Sequence, residues 1–181
     1  MNPCRLITSF SGLAILFSLS ACEKDEAAIP ESESELITTV IATFTPTTGS
    51  ARVFKWSDKD GAGGLAPVIQ SIALPANSSF TVSLVFLDES KSPVVDITPE
   101  IQEESKEHLV CYTSSGAFPA VTITDQDARK RPLGLLGTLK TDAAGSGSLR
   151  VVLKHEPDKK SATPCNTGET DVEVSFPASI N

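Results

Sequence analysis

Histidine occurs only twice in these 181 residues, and each time beside acids: "EESKEH" ends in His108, and "KHEP" places Glu156 directly after His155. Imidazole nitrogen combined with carboxylate oxygen is a donor set for zinc or copper, whereas calcium takes oxygen ligands alone. Glu104 lies four residues before His108, on the same face of a helix if that segment is helical. Glu104, His108, His155 and Glu156 therefore form a candidate metal site once the fold brings the two stretches together. "SDKDGAGG" is a second candidate, because Asp58 and Asp60 have the alternate spacing of a calcium loop. Ala62 and Ile69 stand where two further oxygen ligands belong, so ordinary turn formation competes with cation binding there. "TDQDARKR" offers Asp125 and Asp127, with three basic residues following that compete for the carboxylates.

These side chains must be positioned by short, β-rich elements. "LITTVIATFTP", "ARVFKWSD", "PVIQSIALP", "SFTVSLVFLD", "HLVCYTSS", "AVTITDQD", "SLRVVLKHE" and "TDVEVSFPASI" are rich in Val, Ile, Thr and Phe and separated by Gly, Pro, Asp and Ser. In "FTVSLVF" Phe80, Val82, Leu84 and Phe86 share one face. In "DVEVSF" Val172, Val174 and Phe176 do, with Asp171, Glu173 and Ser175 opposite. Eight or nine strands of this kind predict an immunoglobulin-like antiparallel β-sandwich, with a small β-barrel as the alternative. One segment differs. "TPEIQEESKEH" predicts a helix of two to three turns with Thr98 as N-cap, Pro99 at the first helical position, Ile101 inward and Glu100, Glu103, Glu104 and Glu107 in solvent. His108 closes that helix and His155 ends a strand.

The chain opens with Arg5 and an apolar run over residues 6–20, too short to span a bilayer but of the length of a secretory signal core. "LSAC", ending at Cys22, resembles the bacterial lipobox, which implies thioether attachment of diacylglycerol to Cys22, cleavage before it and acylation of the new amino group. Two or more acyl chains hold a protein stably to a bilayer. "EKDE" after it resembles the export signal of surface-exposed lipoproteins of Bacteroidetes. The expected organisation is a signal peptide over 1–21, a lipidated cysteine and acidic tether over 22–35 that is too poor in apolar residues to fold, and one domain over 36–181. Loss of Arg5 takes the formal net charge from −8 to −9, which argues against nucleic acid as a partner. Of the four cysteines, Cys111 and Cys165 remain after the leader and the lipid site are set aside. In an oxidising envelope the pair reads as a disulfide, with two buried free thiols as the alternative.

No Gly-x-Ser-x-Gly, His-Glu-x-x-His or phosphate-cradling glycine loop is present, so no enzymatic activity is expected. Trp56 and Tyr112, the only residues of their types, make a thin platform for stacking sugars, and Trp56 fits a sandwich core.

Four stretches, "SPVVDITPEIQEESKEH", "RPLGLLGT", "SLRVVLKHEPDKK" and "GETDVEVSFP", resemble a family of small Bacteroidetes lipoproteins grouped under the type 1 periplasmic binding fold superfamily. That grouping implies a two-lobed α/β protein, which needs more residues and far more helices than this chain offers, so the all-β expectation stands. Taken together, the residues lead to an outer-membrane lipoprotein facing the exterior, with the periplasmic face as the alternative. It is expected to bind a metal (zinc or copper ahead of calcium) or another ligand as an accessory to an outer-membrane receptor. A structural or protein-interaction module without small ligand is the competing reading, and an envelope hydrolase the third.

Overall fold

The computed structural model describes residues 36–61 and 63–181. The leader, Cys22, the tether and Ala62 lie outside the described residues. The described chain is an all-β sandwich of two sheets with one short helix, and neither sheet closes into a barrel.

The first sheet is built around β1 (Thr39–Pro46) and β5 (Ser79–Asp88), paired antiparallel along their length. Its strand order is β3-β2-β1-β5-β9-β8, with β2 Arg52–Ser57, β3 Val68–Ile69, β8 Thr122–Ile123 and β9 Leu136–Lys140; β6 (Val95–Asp96) also pairs with β5. The second sheet has the order β4-β11-β10-β7, with β4 Ile72–Leu74, β7 His108–Gly116, β10 Gly145–His155 and β11 Glu169–Ile180. Among the described strands only the β4–β11 pairing is parallel. The two-residue period of a strand makes the core: Phe44, Phe80, Val82, Leu84 and Phe86 from one sheet meet Leu149, Val151, Leu153, Val174 and Phe176 from the other, all buried. Trp56 joins that core.

Among the described residues the sandwich has eleven strands rather than the expected eight or nine. "PVIQSIALP" breaks into β3 and β4, which belong to different sheets, and β6 and β9 carried no clear strand signal. In β9 burial alternates regularly, but the inward position 137 is a glycine, where a Cβ would lie 2.7 Å from Val121 Cγ1, so no apolar side chain marks the period in the sequence. Cys111 and Cys165 form a disulfide, Cα atoms 5.9 Å apart, fastening the 3-10 turn Pro164–Asn166 to β7.

The helix α1 is shorter than expected, Thr98–Glu103, and its N-cap is Ile97. The Thr98 hydroxyl is engaged elsewhere, accepting from the Phe86 N–H at 2.9 Å, while the Thr98 N–H donates to Asp96 Oδ1. Ile101 is fully buried and the four glutamates are exposed as expected. His108 does not close the helix: after a four-residue turn it begins β7, and its ring is buried.

Candidate metal centre

Pairing of β7 with β10 sets His108 directly opposite His155. On the inner face of this sheet the rows across β11, β10 and β7 read Val174, Val151 and Tyr112, then Val172, Leu153 and Val110. The next row ends the apolar ladder with His155 and His108, whose rings stack with centroids 4.8 Å apart and planes 12° from parallel.

The third member comes from β11. Leu153 pairs with Val172 but Lys154 pairs with Thr170, so Asp171 is the extra residue of a β-bulge. Strict alternation places Asp171 in solvent with Glu173. The bulge instead turns its carboxylate toward the imidazoles, and the side chain is only 4% exposed, against 1% for His108 and 16% for His155. The loop that closes behind this row is tight. Glu156 takes a left-handed backbone conformation, and Gly168, with φ +69°, approaches so closely that a Cβ would collide with the His155 carbonyl.

One donor atom from each of His108, His155 and Asp171 lies within 4.8 Å of the others. His108 Nδ1 is 3.3 Å from the Glu104 carbonyl oxygen. A carbonyl can only accept, so Nδ1 carries the proton and the neutral ring presents its lone pair at Nε2. Metal-bound histidines are held in this way by a hydrogen bond to the far nitrogen. Nε2 faces Asp171 Oδ2 at 3.8 Å, and both atoms are buried without a hydrogen-bond partner. His155 Nδ1 lies 3.9 Å from Asp171 Oδ1. These separations are too long for a hydrogen bond, but an ion bound at about 2.1 Å spans donors up to about 4.2 Å apart, which covers each Asp171–histidine pair; the stacked imidazoles must turn out of parallel to bring all three donors to one ion.

Electrostatics point the same way. Burial, and then the neighbouring His155, push His108 below the ordinary histidine value, favouring the lone pair. Burial pushes the Asp171 carboxyl above its ordinary value, against the pull of the two histidines. A cation placed among the three relieves the cost of burying that carboxylate. A metal held by these three side chains, of which His155 is the most exposed, would keep a coordination position for water or an incoming ligand.

The structure thus brings His108 and His155 together, as the expected site requires, but Glu104 and Glu156 do not join them. Both are exposed; Glu104 contributes its carbonyl and Glu156 its backbone N–H, which donates to the Glu107 carbonyl at 2.6 Å. Asp171 takes the carboxylate position. Nothing in "GETDVEVSFP" marks a bulge, so the sequence carried no signal for it.

The acidic loops are occupied by their own backbone. Asp58 Oδ1 accepts from the Gly61 N–H at 3.1 Å, and Asp60 Oδ2 from the Leu65 N–H at 2.7 Å. Asp125 accepts from Gly134 and Leu136, and Asp127 from Arg129 and Arg131, all through backbone N–H groups. The competition expected from the basic side chains is therefore exerted mostly by main chain. Comparison with protein-family models, with curated proteins and with solved structures gives no match to this chain.

Proposed function

We propose that this chain is an outer-membrane lipoprotein, anchored through acylated Cys22 and displayed at the cell surface, whose β-sandwich binds zinc or copper through His108, His155 and Asp171. It acts without catalysing a reaction, as a metal-binding accessory to an outer-membrane receptor. The observation that carries the metal reading is the pair of buried acceptors, His108 Nε2 and Asp171 Oδ2, facing each other 3.8 Å apart with no donor between them. Its open coordination position suits an ion that is received and passed on. The anchor rests on "LSAC" and the outward display on "EKDE".

Calorimetric titration of the metal-free protein with zinc and with copper at pH 7.5 tests the site. Saturable one-to-one binding is expected, weakened at pH 5.5 because protons compete for the imidazole lone pairs. The His108→Ala, His155→Ala double variant should lose affinity at least about 100-fold, as removal of two ligands implies. Absent binding, or binding unchanged in that variant, returns the row to a structural role and favours the interaction-module reading, for which the exposed Val53, Leu65 and Val68 on the β2–β3 edge are the supporting observation. For the anchor, Cys22→Ala should move the protein out of the membrane fraction. Replacing Lys24, Asp25 and Glu26 with alanine should keep it there while protecting it from protease added to whole cells.

A further inference from the structure

Away from the histidine row, a cavity of about 200 Å³ is lined by Lys106, Arg129, Arg131, Lys159 and Lys160. A third of the 15 Lys and Arg residues of an acidic chain thus surround one small space. We propose that this cavity binds a phosphate group.

Two acids share the lining, and both are already engaged. Asp127 Oδ1 accepts from the backbone N–H groups of Arg129 and Arg131 at 2.8 and 2.9 Å, and its Oδ2 faces Lys159 Nζ at 3.5 Å. Asp158 Oδ1 accepts from the Lys160 N–H at 3.0 Å. Lys159 is engaged as well: its side chain is 6% exposed and its ammonium also donates to the carbonyls of Ser105 and Pro132. Lys159 is a staple that joins three separate segments, and Arg131 Nη1 adds a hydrogen bond to the Lys159 carbonyl at 2.9 Å.

Lys106, Arg129, Arg131 and Lys160 remain, and none forms an ion pair among the described residues. Against the two carboxylates of Asp127 and Asp158, the five basic side chains leave the lining three positive charges in excess, which draws an anion to the concavity. Guanidinium forks and ammonium groups together match a tetrahedral oxyanion, which accepts from several directions at once. The volume decides the size. It falls below the roughly 300 Å³ at which pockets for drug-sized ligands begin, so a phosphate group fits and a nucleotide or oligosaccharide does not. No residue is shared with the histidine row, so the two proposals stand or fall separately.

Inorganic phosphate and the phosphomonoester headgroup of a lipid present the same chemistry, and two measurements tell them apart. The unacylated chain beginning at residue 22 is titrated with inorganic phosphate by calorimetry at low ionic strength. It is also sedimented with phosphatidylcholine vesicles with and without phosphatidate. Binding in the first arm identifies the free ion and binding in the second alone the headgroup; either supports the site. In both arms the Lys106→Gln, Arg129→Gln, Lys160→Gln variant should bind at least about tenfold more weakly, because charge-assisted contacts are lost. These side chains are exposed and hold no partner, so the fold should persist, checked by an unchanged melting curve. An Arg52→Gln, Lys91→Gln, Lys140→Gln variant, with the same net charge change elsewhere, should bind within about twofold of the parent, since only bulk electrostatics differ. No binding in either arm, or equal weakening in the two variants, overturns the proposal.

Discussion

Asp127 and Asp171 are both buried and both face cationic or ionisable partners, yet they are opposite cases. Asp127, its side chain 1% exposed, receives two backbone N–H groups and the Lys159 ammonium. Burial raises its pKa, but those donors outweigh burial and hold the carboxyl below its ordinary value. Asp171, its side chain 4% exposed, has one oxygen with no donor at all, and burial prevails. A buried acid supplied with donors keeps its charge, whereas one facing lone pairs bears the full cost of burial in its charged form. Counting acids in the sequence cannot separate the two, since what matters is which groups consume the lone pairs.

The segment over residues 156–168 serves both sites, supplying Lys159 to Asp127 and leading into β11 at Asp171, and the disulfide clamps its far end. The largest expected effect therefore comes from a Cys111→Ser, Cys165→Ser variant. With the cysteines 54 positions apart, the loop-entropy model gives a loss of about 4 kcal/mol, measured by urea unfolding. Both aspartate sites should loosen together.

Asp127→Asn should come next. Removing the charge weakens two charge-assisted hydrogen bonds and leaves the Lys159 ammonium buried against carbonyls alone, at a cost of about 3 kcal/mol. Asp171→Asn should go the other way. With no partner lost, a neutral amide in place of an uncompensated carboxylate should stabilise the metal-free protein at pH 7.5 by about 1 kcal/mol while abolishing metal binding. A destabilised Asp171→Asn protein would mean that the carboxylate is satisfied after all, and the contrast would collapse.

The smallest effect is in pH, and the two acids give it opposite signs. Asp127 is depressed, so its contribution is complete above the ordinary carboxylate value of 3.8 and is lost as pH falls through its folded value. Asp171 is raised, so its charged form costs stability above its folded value, and that cost disappears as acid protonates it. The advantage of Asp171→Asn over the parent should therefore shrink from pH 7.5 toward pH 4, whereas the deficit of Asp127→Asn should persist across that range. Parallel melting curves at several pH values check both.

The sequence by itself determined the all-β class, because alternation such as Phe80, Val82, Leu84 and Phe86 has one inexpensive solution, a strand with one face on a core. It also isolated the two histidines and the cysteine pair, since scarce residue types stand out without any geometry. Only the tertiary structure decided the third member of the histidine row and the length of the helix. A bulge shifts which face every residue beyond it occupies, and its position follows from how β10 and β11 settle against each other, so Asp171 read as solvent-facing until that register was known. Helix α1 stops at Glu103 because β7 must start at His108 to pair with β10, a demand made by a strand about fifty residues away in the chain.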